Sequence, residues 1–265
     1  MKRYINFFLA LINISTKRYF EQRANTLGFV VLRIAGLAIM LLFIEIYFSF
    51  TKDIYGWTKF QVVFLTGIYQ LMTALFSAFF LRSINFIPSY IQHGELDNFL
   101  TKPVSSQFYL SLRLNRTPDL LNALSGLVVV IYALGELNLL FSAIHWILLV
   151  FSLVFGLVIL YGLYFAFATL SIWLGRMASL AEIYYIMQPP LSVPIDILGK
   201  TTAFILTFII PLGFIVTLPI SLFLDKSPWF FILFLQRLFL VFLPGFGVFP
   251  CATIHQPVLK VLFYI

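Results

Sequence analysis

The sequence predicts an all-α, polytopic membrane fold. Three observations predict it: an apolar excess, a series of span-length apolar segments, and a lopsided placement of Lys and Arg. Of 265 residues, 62% are hydrophobic and 10% charged, with a mean hydropathy of +1.01. A water-soluble domain carries about 45–50% apolar and about 25% charged residues. One water-soluble core of this size cannot bury the surplus, because a folded surface still needs polar cover. Lipid is the remaining sink.

The elements follow in order. Residues 4–20 read as an amphipathic helix, with Tyr4, Phe8, Leu11, Ile12 and Tyr19 near one face and Lys2, Arg3, Asn6, Asn13 and Lys17 on the rest. Such a helix lies in the membrane interface with its cations toward lipid head groups. It does not read as a cleavable signal, because Asn6, Asn13 and Lys17-Arg18 interrupt the apolar run. Apolar segments long enough for about 30 Å of hydrocarbon then lie near 28–50, 60–81, 119–140, 144–173, 179–198, 203–224 and 229–249. Two are broken. The fifth holds Glu182, Gln188, Pro189, Pro190 and Pro194, and the sixth holds Pro211 and Pro219.

Charge sets the orientation. With the N-terminus cytoplasmic, the inner side holds ten cations: Lys2, Arg3, Lys17, Arg18, Arg23, Arg82, Lys102, Arg113, Arg116 and Arg176. The first two outer loops hold only Lys52 and Lys59, the asymmetry of a cytoplasmic start. The net charge of +7 and pI near 9.5 have the same origin. Basic runs with interleaved aromatics, the footprint of nucleic-acid binding, are absent. The sizeable polar connection is 82–118, on the inner side, and residues 1–265 read as one membrane domain.

Catalytic and metal chemistry find no motif. Cys251 is the single cysteine, and His93, His145 and His255 stand far apart. Gly199-Lys200-Thr201 falls short of a phosphate-binding loop, since Pro194 stands where its first glycine belongs. It reads as a loop at a helix start. Asn13-Ile14-Ser15 and Asn115-Arg116-Thr117 match the glycosylation sequon but fall on the predicted inner side.

The 82–118 connection carries the informative pattern. Ile91, Leu96, Phe99 and Leu100 give a short helix an apolar face, with Glu95 and Asp97 near its start, Lys102 at its end and Pro103 to stop it. Two physical readings stay open: a helix docking into a groove on a partner protein, or an amphipathic connector on the lipid surface. The run Gly94-Glu95-Leu96-Asp97-x-x-Leu100-x-Lys102-Pro103 strongly resembles the cytoplasmic loop of an ABC-2-type permease family, the one that includes viologen-exporter permeases. Weaker likeness extends over about residues 1–240 through Gln22-Arg23-Ala24-Asn25, Trp57-Thr58, Trp173-Leu174-Gly175-Arg176, Ile209-Ile210-Pro211 and Leu218-Pro219. Beyond it, Pro244 to Pro250 depart from the family's basic, Ser-rich tail.

The resemblance implies a half-transporter with an N-terminal interfacial elbow helix (1–26), six transmembrane helices and both termini cytoplasmic. It implies a coupling helix in 82–118, seated in a cleft of an ATPase, and a re-entrant helical hairpin (200–226) on the outer face before the last span. The implied partners are an ABC ATPase in two copies, a second permease that is identical or paralogous, and membrane lipid, with no nucleic acid. The implied location is the bacterial inner membrane. The chain itself would bind no cofactor; ATP and Mg would belong to the ATPase.

Gly94, Glu95, Leu96, Asp97, Leu100, Lys102 and Pro103 are then the candidate ATPase-coupling residues. Glu45, in the outer half of the first span, and Glu182, near the inner end of the fifth, are the candidate substrate contacts. Carboxylates and aromatic faces would suit a cationic or amphipathic export substrate; the bland alternative is that both pair internally or sit at an interface. Arg33 and Arg82 are expected to snorkel from helix ends, and Arg237 to pair with a neighbouring helix. Competing functions are an ion-gradient-driven secondary transporter, which would use paired broken helices, and a non-transporting membrane assembly subunit.

Overall fold

The computed structural model describes residues 10–13, 15–17, 23–95, 106–137, 142–174 and 180–226. It is mostly helical. The first long helix, α1 (Arg23–Phe50), reaches a two-residue hairpin, β1 (Asp53–Ile54) and β2 (Trp57–Thr58), in antiparallel register. Its turn residues Tyr55 and Gly56 both have positive φ, the geometry whose twist matches a tight hairpin. This hairpin holds the only strands among the described residues.

Helix α2 (Lys59–Phe76) starts from a capping box. The Thr58 backbone N–H is bonded by the Gln61 side chain at 3.1 Å. The helix does not stop at residue 81, as the hydropathy suggests. It widens into a π-helical turn at Ser77–Leu81, continues through Arg82–Asn85, and is followed by α3 (Ile87–Gln92). Then come α4 (Ser106–Leu112), α5 (Asp119–Leu137), α6 (Ala143–Leu174) and α7 (Leu180–Ser192).

Among the described residues, four helical stretches are long and apolar enough to cross a membrane: Gly28–Phe50, Lys59–Gln92, Asp119–Leu137 and Ala143–Leu170. The expected span at 179–198 is instead the 13-residue α7 followed by a 3-10 turn at Ile195–Leu198. Pro189 and Pro190 occupy its last turns, where Ser192 Oγ donates to the Pro189 carbonyl at 2.9 Å. The expected segment 203–224 is two short helices, α8 (Lys200–Phe204, prolonged by a π-helical turn to Ile209) and α9 (Thr217–Phe223). Neither is long enough for hydrocarbon at about 1.5 Å per residue. The expected last span, 229–249, lies outside the described residues, as does Arg237. Of the expected interfacial helix, residues 10–13 and 15–17 are helical, and Thr16 Oγ1 lies 3.2 Å from Thr117 Oγ1.

The core is built around α2, whose apolar window is 78% buried against 11% for α1. Its main partner is α5, through two facing glycines. A Cβ on Gly67 would stand 2.9 Å from the Val130 nitrogen, and one on Gly126 would stand 2.8 Å from the Leu71 nitrogen. Small residues let membrane helices approach backbone to backbone, where packing rather than water exclusion drives association. α9 is buried beneath α2 and α6, with Phe223 stacked on Phe64 at 5.4 Å and edge-on to Trp146 at 5.2 Å. The outward side chains of α1, α5 and α6, such as Leu32, Phe43, Val128, Ile131, Ile147 and Val154, are exposed and apolar. The chain is a multi-pass membrane protein.

Candidate functional site

One end of the bundle frames the candidate coupling loop. Helix α3 closes in a Schellman cap, with Glu95 N–H donating to the Tyr90 carbonyl (2.9 Å) and Gly94 N–H to Ile91 (3.2 Å). Gly94 holds φ +69° there, a left-handed conformation that side chains with a Cβ resist. Gly94 therefore turns the chain out of the helix. Leu96, Asp97, Leu100, Lys102 and Pro103 lie outside the described residues.

The two limbs of the loop meet at Arg113. Its guanidinium sits over the rings of Tyr90 (5.6 Å) and Tyr109 (5.9 Å), and its Nη1 reaches the Tyr90 hydroxyl at 3.5 Å. The second limb is moored to α6, where the Tyr161 hydroxyl meets Ser111 Oγ (2.7 Å) and Gln107 Nε2 (3.1 Å). Residues 114–119 then fill the gap opened by the π-helical turn. Arg116 N–H donates to the Ala78 carbonyl (2.8 Å), Leu114 N–H to Ser83 Oγ (2.7 Å), and Ser77 Oγ to the Asp119 carboxylate. A π-helical turn leaves carbonyls without their ordinary helical partners, and this segment supplies donors. Asn115 is buried at 2% exposure, so its sequon is not available to a modifying enzyme.

The opposite end is tied through Trp57, itself 2% exposed. Its indole N–H donates to Asp196 Oδ2 at 3.0 Å, while Lys226 Nζ lies 3.9 Å over its ring and donates to the Gly56 carbonyl at 2.8 Å. Burial pulls the Lys226 amine below its ordinary range, with Asp196 opposing the shift. His145 Nε2 meets Asp225 Oδ2 at 3.1 Å. Residues 196 and 226 thus lie at one end of the bundle, and the apolar turn between α8 and α9 reaches inward to α6. There a Cβ on Gly156 would stand 2.7 Å from the Ile215 carbonyl.

The two candidate substrate carboxylates are not brought together. Glu45 is ion-paired with Lys59 at 2.6 Å near the Trp57 end. Glu182 is exposed in the first turn of α7, whose start is bound through the Leu180 carbonyl to the Tyr164 hydroxyl at 2.8 Å. The intramembrane polar groups that do converge are others. Tyr69 of α2 donates its hydroxyl to Gln188 Oε1 of α7, and Tyr184 stands one turn before Gln188. Arg33 of α1 is half-buried. The signal available in the sequence was spacing. Arg33 falls on the helical face of Leu37, Leu41, Ile44 and Phe48, which packs on the core.

Among the described residues, no group of His, Cys, Asp and Glu is placed to hold a metal ion. A family model described as "ABC-2 family transporter protein" matches residues 34–245. No curated protein and no solved structure matches the chain.

Proposed function

From the ABC-2 transporter family, to which this chain belongs, we propose that it is the membrane subunit of an ATP-driven exporter whose motor is a separate polypeptide. The observation that carries the reading is the frame around residues 93–113. A Schellman cap and the Arg113 clamp bring both limbs of a loop together at one end of the bundle. A loop held this way can pass force to the spans, because its mooring runs directly into α2 and α6. In this reading Gly94, Glu95, Leu96, Asp97, Leu100, Lys102 and Pro103 contact the ATPase, which binds ATP and Mg. Two ATPase copies and a second permease complete the transporter in the bacterial inner membrane. The Trp57 end faces outward, and 200–226 is a re-entrant hairpin; the shared anchorage of Asp196 and Lys226 on Trp57 supports that reading.

Transport then follows alternating access. ATP binding drives the motors together, and the coupling loops move with them. Only contacts that differ between the two states can shift the permease. The test is co-purification of the full chain with its ATPase, followed by ATPase and transport assays. Asp97→Ala or Gly94→Pro is expected to lower transport about tenfold or more while membrane insertion persists, the loss of about 1.4 kcal/mol of coupling. Wild-type transport by either variant, stably assembled with the ATPase, would overturn the assignment. A chain that transports with no ATPase attached would support gradient-driven transport instead.

A further inference from the structure

We propose that Asn115 and Asp119 are positioning residues that seat residues 114–119 in the π-helical turn of α2, and that movement of the coupling loop reaches the outer end of the bundle through this seat. The proposal rests on the permease reading and deepens it, by naming the path from motor to spans.

The seat is a run of contacts in antiparallel order. Ser77 Oγ donates to the Asp119 carboxylate, Arg116 N–H to the Ala78 carbonyl at 2.8 Å, and Leu114 N–H to Ser83 Oγ at 2.7 Å. Between them lies the Asn115 amide. In the orientation that gives its nitrogen acceptors, it donates to the Phe79 carbonyl at 3.1 Å and to the Leu112 carbonyl at 3.3 Å. Positions 119, 116, 115 and 114 thus meet 77, 78, 79 and 83 in turn. Ser77, Ala78, Ser83, Asn115 and Asp119 are all buried. A π-helical turn is wider than an α-helical one and marks functional positions in helices; here it admits donors from outside the helix.

The connections on either side of this segment are those of a strut. One residue before it, Arg113 lies over Tyr90 and Tyr109 and joins the limbs of the loop. Within it, Thr117 Oγ1 meets Thr16 Oγ1 at 3.2 Å, and the Arg116 guanidinium lies 5.5 Å over the ring of Phe29 in α1. Asp119 itself opens α5. Displacing the loop therefore pulls on α1, α2 and α5 together. It pulls on α2 partly through main-chain atoms, which cannot swing aside as a side-chain rotamer can. The tie to α6 differs, being two side-chain contacts at the Tyr161 hydroxyl.

Helix α2 carries the displacement across the membrane. Its helical backbone is continuous from Lys59 to Asn85. Its far end follows directly on the β1–β2 hairpin, and its Phe64 stacks on Phe223 of α9. The hairpin and α9 are therefore where a displacement of α2 is read. A seat made only to satisfy the π-helical turn would, when broken, loosen the bundle and leave both ends responding in step. A seat that is the path would, when broken, leave the inner end responding and the outer end still.

The test is hydrogen–deuterium exchange on the full chain assembled with its ATPase in phosphatidylcholine nanodiscs, with and without trapping by MgATP and vanadate. In wild type, trapping is expected to change exchange in residues 106–113 and also at the outer end, in 53–58 and 217–223. Asp119→Ala and Asn115→Ala are expected to keep the inner change and ATP hydrolysis, and to cut the outer change about fivefold or more, in the range of ordinary coupling between sites. Asp119→Asn, which retains an acceptor for Ser77, is expected to keep most of the outer change. An undiminished outer change in both alanine variants would overturn the proposal. So would a wild type that responds at the inner end alone, which leaves the permease reading standing. If the alanine variants fail to assemble, Ser83→Ala, which deletes one oxygen, decides: a weakened outer change supports the seat and an undiminished one overturns it. A wild-type chain that captures no ATPase would overturn the permease reading and the strut with it.

Discussion

The two ends of the bundle are fastened by different means. At the Trp57 end, three side-chain ties join elements far apart in the chain. Trp57 meets Asp196, Lys226 reaches Gly56, and His145 meets Asp225. At the Gly94 end Tyr90, Tyr109 and Arg113 join the two limbs of one loop, and Tyr161 of α6 holds its second limb through Gln107 and Ser111. The first arrangement resists relative motion of α2 and the α8–α9 segment. The second fastens the two limbs that flank residues 96–105 to each other and to α6. In the proposed exporter, force enters at the second end and is resisted at the first.

Both ends share one axis, and removing it should produce the largest effect. Gly126→Leu places a branched side chain where a single Cβ already meets backbone at 2.8 and 2.9 Å. Backbone cannot yield as a flexible side chain can, so the expected loss is about 3 kcal/mol or more. Detergent-solubilised variant should lose its monodisperse peak and its cooperative melt. A Gly126→Leu protein as stable as wild type would mean that α2 and α5 do not pack through these glycines.

The contrast between the ends is sharpened by Trp57→Ala. Emptying this buried site is expected to cost about 3–5 kcal/mol, and it removes the shared anchor of Asp196 and Lys226. In a Cys251→Ser background, a Ser221→Cys reporter should label faster with maleimide after Trp57→Ala, because Ser221 lies in buried α9. Lys226→Met, which removes one cation–π contact and one hydrogen bond, should do the same more weakly, by about 1 kcal/mol. Labelling that is unchanged in both would detach α9 from the Trp57 anchor.

Much of this could be read from the sequence, and the limits have physical causes. The spans expected near 28–50, 119–140 and 144–173 fall close to Gly28–Phe50, Asp119–Leu137 and Ala143–Leu170, since long apolar runs have few other solutions. The second span runs past its expected end because Ser83 and Asn85, polar by composition, are satisfied inside the protein by Leu114 and Tyr164. Proline content marked 179–198 and 203–224 as broken without saying how each breaks. The Trp57 cluster carries no local signal, since its members stand 139 and 170 positions apart. Arg33 shares its helical register with Leu37 and Leu41, on the side of α1 that packs against the core, and is half-buried there.

The smallest expected effect tests the Trp57 end from its edge. Glu45 pairs with Lys59 at 2.6 Å, but the side chains are 63% and 31% exposed. An ion pair this open contributes about 0.2–1 kcal/mol and weakens with salt. Glu45→Gln should therefore lower the melting temperature slightly at low ionic strength and hardly at all at 0.5 M salt. Transport should remain near wild type, because the carboxylate is already engaged by a lysine of the same bundle. A tenfold loss of transport for a cationic substrate, with the melt unchanged, would return Glu45 to the substrate path. It would also make the Trp57 end a place of entry or exit rather than only of fastening.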